Sequence, residues 1–290
     1  MKNGAPSPTH ILLSASARYL LLYAILIGAG LFFAAPFAWM ISVAGQDPGG
    51  VFARPFRWIP DHYRWENFSA VTSLLPFGRY ALNTLVITGS VLIGTLLSSS
   101  LVAFGFARLR FKGRSALFSL CLATMMLPGQ VTMIPLYLLF SSLGWVDTYL
   151  PLIVPSFFGS PFAIFLLRQF FLTIPREYDE AAMLDGASRL RIYWSIVLPL
   201  SRPALATVAL ITFVGTWNDF FGPLIYLNSP ELATLTLGLN MLKAQVIGTG
   251  STPWHILMAG AVLVLLPNIL VFFLAQKQFM KGIATGGIRG

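Results

Sequence analysis

The stretch EYDEAAMLDGASRLRIYWSIVLP, from Glu177 to Pro199, is a polar segment of 23 residues between two long apolar runs. Its acidic start suits the positive end of a helix dipole, and the alanines, methionine and leucine that follow are good helix formers. Gly186 can adopt the left-handed conformation that ends such a helix, and Ser188 can cap the start of the next one. The stretch therefore predicts a helix, a tight turn and a second helix.

Each predicted helix offers its own surface. Four apolar residues of the second helix recur at the i, i+3, i+4, i+7 spacing of a single helical face, namely Leu190, Tyr193, Trp194 and Val197. On the first helix, Ala181 and Ala182 beside Glu180 form a slim surface into which the side chains of a partner can fit closely. These signals leave two interpretations open, an amphipathic hairpin that links two helices or a docking surface.

Composition defines the class of protein. Hydrophobic residues make up 56% of the chain and charged residues only 10%, with a mean hydropathy of +0.75. A soluble domain carries about 25% charged residues, so the composition predicts an integral membrane protein.

The net charge of +9 does not indicate a nucleic-acid partner, because the cations do not cluster with aromatic residues on one polar domain. Cys121 is the only cysteine, which excludes an intrachain disulfide.

Long uncharged runs define the predicted membrane spans, since about 20 apolar residues cross the hydrocarbon core of a bilayer. We predict a single all-α membrane domain over residues 1–290, with about six transmembrane helices near residues 19–41, 81–106, 116–140, 149–170, 203–225 and 255–275. The first run is too long for the apolar region of a signal peptide, so we expect it to be retained.

The distribution of Lys and Arg predicts the orientation. Fourteen of these cations fall in the termini and in the segments on the same side of the membrane as the polar stretch, against five on the other side. Cytoplasmic loops carry the excess of Lys and Arg, so both termini and the polar stretch are expected in the cytoplasm. The basic turn at residues 108–114 is predicted to contact anionic lipid headgroups, although a role in setting topology alone would also explain it.

Polar side chains inside the predicted spans are candidates for a substrate path. They are Asn83, Gln130, Trp217, Asn218 and Asp219. Gln130 lies where Pro128 and Pro135 break the helical hydrogen bonds, and its alternative role is to hold neighbouring helices together. Asp219 either lines the vestibule that substrate enters or lies in the aromatic belt at the membrane surface.

A family resemblance adds to these predictions. The sequence Glu180-Ala181-Ala182, followed at the expected spacing by Gly186, Ile196 and Leu198-Pro199, resembles the EAA signature of permease subunits in bacterial binding-protein-dependent ABC importers. The basic turn, the WND sequence at 217–219 and the glycine-rich basic tail resemble the carbohydrate-uptake class, in particular the second permease subunit of sugar and glycerol-phosphate importers. The resemblance extends from about Arg79 to the C-terminus.

The resemblance implies a multi-pass subunit of the bacterial inner membrane, with a cytoplasmic helix–turn–helix coupling loop at residues 173–200. Its implied partners are a second, related permease, an ABC ATPase dimer, an extracytoplasmic solute-binding protein, a sugar or polyol and membrane lipid. The implied ATPase-coupling residues are Glu180, Ala181, Ala182, Asp185, Gly186, Ile196, Leu198 and Pro199.

No enzymatic activity is expected of this chain. It has no P-loop sequence, no hydrolase motif and no histidines at metal-ligand spacing, so ATP and Mg are expected on the partner ATPase, with no metal or cofactor site here.

Two other functions stay open. A transporter driven by an ion gradient would need several intramembrane acids or histidines, where only Asp219 qualifies, and a membrane scaffold would need no ATPase partner.

Overall fold

The structure is a computed structural model that describes residues 8–52, 55, 57–247 and 253–286. These residues form helices and irregular connections and no strand, so the predicted all-α fold is confirmed. The chain divides into two compact units, one of Met1–Val71 with Pro253–Val262 and the other of Thr72–Thr252 with Leu263–Gly290.

The first unit begins with the long helix α1, Pro8–Ala44. Its described side chains from Arg18 to Phe37 are exposed, as expected of a helix that faces lipid. After a 3₁₀ turn at Gly50–Phe52, the chain folds back onto the end of α1, where the Asn67 amide donates hydrogen bonds to the carbonyls of Ala44 and Gln46 at 2.8 and 2.9 Å. Helix α2 spans Glu66–Leu74.

The second unit is built on helix α3, Phe77–Arg108. Helices α4, Arg114–Ala123, and α5, Gly129–Ser142, follow it and are bent by 98° relative to each other. The predicted span at 116–140 is therefore divided, because Pro128 has no N–H to donate and places Leu127 in an extended conformation. Helix α6, Leu150–Ile153, a 3₁₀ segment at Val154–Phe158 and helix α7, Pro161–Thr173, form the next span.

The polar stretch forms a series of short helices. They are α8, Glu177–Leu184; α9, Arg189–Ile192; a π-helical segment, Tyr193–Val197; and α10, Leu198–Leu200. The predicted apolar stripe is wrong: Tyr193 and Val197 are buried, whereas Leu190 and Trp194 are 58% and 52% exposed. The π segment, Tyr193–Val197, departs from the α-helical period on which the stripe was predicted, whereas Leu190 precedes it and is exposed in α9.

The described residues after the polar stretch form four α-helices and a 3₁₀ turn at Pro230–Leu232. The helices are α11, Arg202–Trp217; α12, Phe221–Tyr226; α13, Leu235–Ile247; and α14, Trp254–Gly286. The predicted span at 203–225 leaves the helical conformation between Trp217 and Phe221. Among the described residues, four helical segments are long and apolar enough to cross a membrane, or up to six if each of two bent pairs is one span.

Small residues on α3 allow the core of the second unit to pack closely. Ala103 and Ala107 are fully buried among side chains of α7 and α11. The ring of Tyr193 reaches the same core, where its centroid lies 5.3 Å from that of Phe104 and its hydroxyl is 2.8 Å from the Ser100 hydroxyl. The segment after the polar turn is therefore held directly against the longest helix of this unit.

Candidate functional site

The polar stretch presents a helix and a tight turn at the surface. Most side chains of α8 are exposed, and Leu184 near its end is 90% exposed. Gly186 has φ of 78°, and the N–H groups of Gly186 and Ala187 donate to the carbonyls of Met183 and Ala182 at 3.0 and 2.9 Å. A left-handed residue at this position lets the chain reverse while the last carbonyls of α8 stay bonded.

A hydrogen bond caps the start of the second helix. The Ser188 hydroxyl accepts a hydrogen bond from the Arg191 N–H at 3.3 Å. The helix that follows turns inward through Ile192 and Tyr193, which are both 1% exposed. The turn thus projects outward while both of its ends are fixed.

A buried ion pair lies at the base of α8. Nη1 of Arg108, at the end of α3, is 3.5 Å from Oδ2 of Asp179, and the two side chains are 2% and 8% exposed. Nη2 of Arg108 also donates to the carbonyl of Ile174 at 2.9 Å. Contact of Arg108 with lipid headgroups, predicted as part of the basic turn, is therefore wrong, because its guanidinium is enclosed by protein.

Several predicted coupling residues share one shallow groove beside α8. The groove has a volume of about 590 Å³ and is lined by Pro175, Glu177, Tyr178, Ala181, Ala182, Asp185 and Ile196. Ala182 and Ile196 are half-buried against the core and form its floor. The small alanine side chains keep this floor open.

The other predicted coupling residues surround this groove without lining it. Glu180 lines a neighbouring groove on the other side of α8, together with Met183. Leu198 packs against the core, Pro199 is exposed, and Gly186 lies at the turn. The structure therefore divides the set between the groove beside α8, a second groove that contains Glu180, the turn at Gly186 and the segment that returns to the core.

Two of the predicted substrate-path residues are committed to structural hydrogen bonds. The buried amide of Asn83 donates to the carbonyls of Glu231 and Ala233, both at 2.9 Å. Trp217 is 2% exposed and its Nε1 donates to the carbonyl of Val264 at 3.0 Å. The indole is thus enclosed and offers no open ring face within this chain.

Asn218 has a partner that the sequence did not indicate. Its side-chain amide and that of Asn268, on α14, donate to each other at 3.2 Å in both directions. Asn218 is exposed and Asn268 is half-exposed. Two amides therefore face outward together, at the point where α11 ends and within a segment apolar enough to span a membrane.

Asp219, which directly follows Asn218, lines a small cavity. Its Oδ1 accepts a hydrogen bond from the Gly222 N–H at 3.2 Å, in the first turn of α12. The cavity, of about 100 Å³, is lined by Thr84, Ile87, Val91, Leu152, Thr216, Asp219, Pro223 and Thr234. The structure does not bring Gln130 to this cavity; it is exposed in the first turn of α5.

Asp147 forms a second cluster that the sequence did not indicate. Its Oδ1 accepts hydrogen bonds from the N–H groups of Asn228 and Ser229 at 2.9 and 2.8 Å, and its Oδ2 accepts from the Ser229 hydroxyl at 2.5 Å. These hydrogen bonds, that of the hydroxyl first, lower the pKa of the Asp147 carboxyl. The carboxylate joins the loop after α5 to the loop after α12.

The fold and its apolar helices define a multi-pass membrane protein with an exposed helical turn. Residues 90–284 match the family described as the inner membrane component of binding-protein-dependent transport systems. The chain belongs to this family, and its predicted resemblance to permease subunits is confirmed.

Curated relatives cover most of the chain. It is 34% identical over 273 residues to the probable ABC transporter permease protein YurM of Bacillus subtilis strain 168, covering 94% of this chain and 87% of that protein. It is also 34% identical over 248 residues to the sn-glycerol-3-phosphate transport system permease protein UgpE of Yersinia pestis bv. Antiqua, with coverage of 83% and 86%. These relatives are named as permeases and not as enzymes.

Solved structures share the fold. A chain of a bacterial ABC transporter involved in the import of the acidic polysaccharide alginate superposes with a TM-score of 0.79 at 24% identity, covering 96% of this chain and all of that one. A chain of a bacterial alginate ABC transporter, in complex with a periplasmic protein that holds an alginate pentasaccharide, gives a TM-score of 0.63 at 18% identity. Both likenesses concern the fold alone.

Proposed function

We propose that this chain is one of two related permease subunits that form the translocation path of an ATP-driven importer for a sugar or polyol. The observation that carries the proposal is the exposed helix α8, whose groove contains Ala181, Ala182, Asp185 and Ile196. The permease names of the relatives support this class of function. The two permeases would work with an ABC ATPase dimer and an extracytoplasmic solute-binding protein.

In this proposal α8 and the following turn dock on the ATPase. A docked helix transmits motion only if it is stiff and fixed to the elements that must move. The hydrogen bonds around Gly186 stiffen the turn, and the Arg108–Asp179 pair fixes α8 to α3. Because α3 packs along α7 and α11, a displacement of α8 would reach the membrane helices.

The two grooves on either side of α8 would contact the ATPase in different ways. Ala181, Ala182 and Asp185 would receive a side chain of the ATPase in the groove, while Glu180 would contact it from the other side. Gly186 would set the direction of the turn, and Leu198 and Pro199 would carry the chain back to the membrane. ATP and Mg would be bound by the ATPase, so this chain would need no cofactor of its own.

The substrate path is proposed along the outward-facing amides of Asn218 and Asn268. Amides can donate hydrogen bonds to sugar hydroxyls and accept hydrogen bonds from them. Exposed amides are costly in hydrocarbon even when they bond to each other, because their oxygens can accept further hydrogen bonds, which favours a wet path or a partner subunit at this surface. Gln130 would face the path at the break between α4 and α5, while Asn83, Trp217 and Asp219 would hold its wall in shape.

Docking can be tested with Ala182→Trp, which fills the groove. Ala123→Trp is the matched control, because Ala123 is exposed at the end of α4, away from the groove. We expect the ATPase to co-purify with the control and to be lost from the groove variant, while the second permease stays bound. A complete complex at wild-type yield with Ala182→Trp would contradict the proposal.

The same reconstituted complex separates an ATP-driven importer from a secondary transporter. Uptake into proteoliposomes should require ATP and the solute-binding protein and should survive an uncoupler. Uptake that continues without ATP and stops with the uncoupler would assign the chain to the ion-driven class instead.

A further inference from the structure

A strongly basic groove lies between the α3–α4 turn and the start of α8. It has a volume of about 670 Å³ and is lined by Arg110, Phe111, Gly113, Arg114, Ser115, Ala116 and Arg176. Two arginines from the α3–α4 turn and the start of α4, and a third from the start of α8, therefore surround one space that no acidic residue lines. We call it the basic groove.

The arginines of the basic groove are available to a ligand. Arg110 and Arg176 are exposed, and Arg114 is held in place by a hydrogen bond from its Nη1 to the carbonyl of Leu109 at 3.1 Å. In the described parts of the chain, the ion pairs involve Arg57, Arg64 and Arg108, so Arg110, Arg114 and Arg176 form none. Arg110 and Arg176 also line the adjoining groove that contains Asp179 and Glu180. Arg108, two residues before Arg110, is not available in this way because it forms an ion pair with Asp179.

The position of the groove relative to the membrane favours a lipid. The turn at residues 109–113 joins Phe77–Arg108, which is apolar enough to span a membrane, to the first half of a bent pair of helices that together could form the next span. Arg110 and Arg114 therefore lie next to the end of a candidate span. Leu117 and Leu120, on α4 directly after the groove, are 51% and 63% exposed, and Phe111 in its wall is 44% exposed.

We propose that the basic groove binds the phosphate headgroup of an anionic phospholipid. The guanidinium fork matches the geometry of phosphate oxygens, and three forks around one space favour a single phosphate group. The exposed leucines of α4 would lie along the acyl chains of the same lipid. A free phosphate ion would also bind the arginines, but it has no acyl chains that could contact this apolar surface.

The lipid would also touch the base of α8. The carbonyl of Arg176 accepts hydrogen bonds from the N–H groups of Asp179 and Glu180 at 2.9 and 3.0 Å, so Arg176 forms the first turn of that helix. A headgroup held by Arg176 and Arg110 would tie the start of α8 to the α3–α4 turn. An effect of this lipid on transport depends on the proposed coupling function, whereas lipid binding itself does not.

Lipid binding can be measured on the purified chain in nanodiscs of phosphatidylcholine with a small fraction of phosphatidylglycerol. Native mass spectrometry then counts the phosphatidylglycerol molecules that remain bound. The test variant is Arg110→Gln/Arg114→Gln/Arg176→Gln. The control, Lys112→Gln/Arg191→Gln/Arg202→Gln, removes the same charge from exposed cations outside the groove lining.

We expect the groove variant to bind phosphatidylglycerol at least tenfold more weakly, because each cation near an anionic headgroup contributes about fivefold. The control should change binding less than twofold. Equal losses in both variants would indicate a general effect of surface charge and would overturn the site. Displacement of the lipid by millimolar inorganic phosphate would identify a free-anion site and would overturn the lipid assignment.

A second set of variants keeps the test valid if the triple Gln variant does not fold. Arg→Lys at the same three positions retains the charge but not the planar fork, and we expect an intermediate loss of binding. Wild-type binding in the Lys set, together with loss of binding in Lys112→Gln, would place the headgroup elsewhere on the turn. A failure of ATP-driven uptake would refute the proposed function without affecting this measurement.

Discussion

Arg108 and Asp179 form an ion pair in the interior although Asp179 belongs to α8, most of whose side chains are exposed. The Nη1–Oδ2 distance is 3.5 Å, and the carbonyl of Ile174 accepts a further hydrogen bond from the same guanidinium. Burying two charges is costly, and separating them in the interior costs more. Helix α8 therefore cannot tilt away from α3 without leaving a buried charge unpaired.

Removal of one partner should destabilise the protein. Asp179→Ala leaves Arg108 charged, buried and without its acid, for which we expect a loss of about 3–5 kcal/mol. The double variant Arg108→Met/Asp179→Leu removes both charges and should recover most of that loss. Thermal unfolding of the purified chain in detergent gives the comparison, and an unchanged midpoint for Asp179→Ala would show that the pair is not needed to hold α8.

Substitutions at Gly186 should change the coupling of ATP hydrolysis to uptake without disturbing the packing around the turn. A side chain added at Gly186 would meet no atom within 4 Å, but φ of 78° strains a β-branched residue. A strain of about 1.4 kcal/mol would make the native turn about tenfold less populated, so Gly186→Val should reduce uptake per ATP hydrolysed. Gly186→Asn, which tolerates the left-handed conformation, should keep near-normal uptake. Equal uptake in the Val and wild-type complexes would refute this role.

Local signals predicted the turn and its caps, because the residues that shape them are neighbours in the chain. Gly186 and Ser188 act within four residues of their partners. The bonds of Arg108 to Asp179 and of Asn218 to Asn268 could not be predicted in this way, since 71 and 50 residues separate the partners. Charge count alone assigned Arg108 to the lipid surface; its burial depends on packing that no local pattern encodes.

The role of Asp219 depends on whether its charge or its hydrogen bond matters. Asp219→Asn keeps an oxygen that can accept from the Gly222 N–H, whereas Asp219→Ala removes the acceptor. If Asp219 holds the start of α12, uptake should fall severalfold in the Ala variant and stay near wild type in the Asn variant. Assembly with the ATPase should be unchanged in both. Equal loss of uptake in the Asn variant would show that the charge itself acts in transport.

The Asp147 cluster should make stability depend on pH. Hydrogen bonds lower the pKa of this carboxyl in the folded state, so its contribution is complete above the unfolded value of about 3.9 and disappears as pH falls through the folded pKa. Asp147→Asn keeps a residue suited to φ of 61° but removes the charge.

The difference in unfolding midpoint between wild type and Asp147→Asn should therefore be constant from pH 7 to about 5 and should shrink below pH 4. Ser229→Ala removes the hydroxyl that donates to Oδ2 and should reduce the same difference, since that hydrogen bond contributes most to the lowered pKa. A difference that stays constant down to pH 2 would show that the ionised form of Asp147 does not stabilise the contact between the two loops.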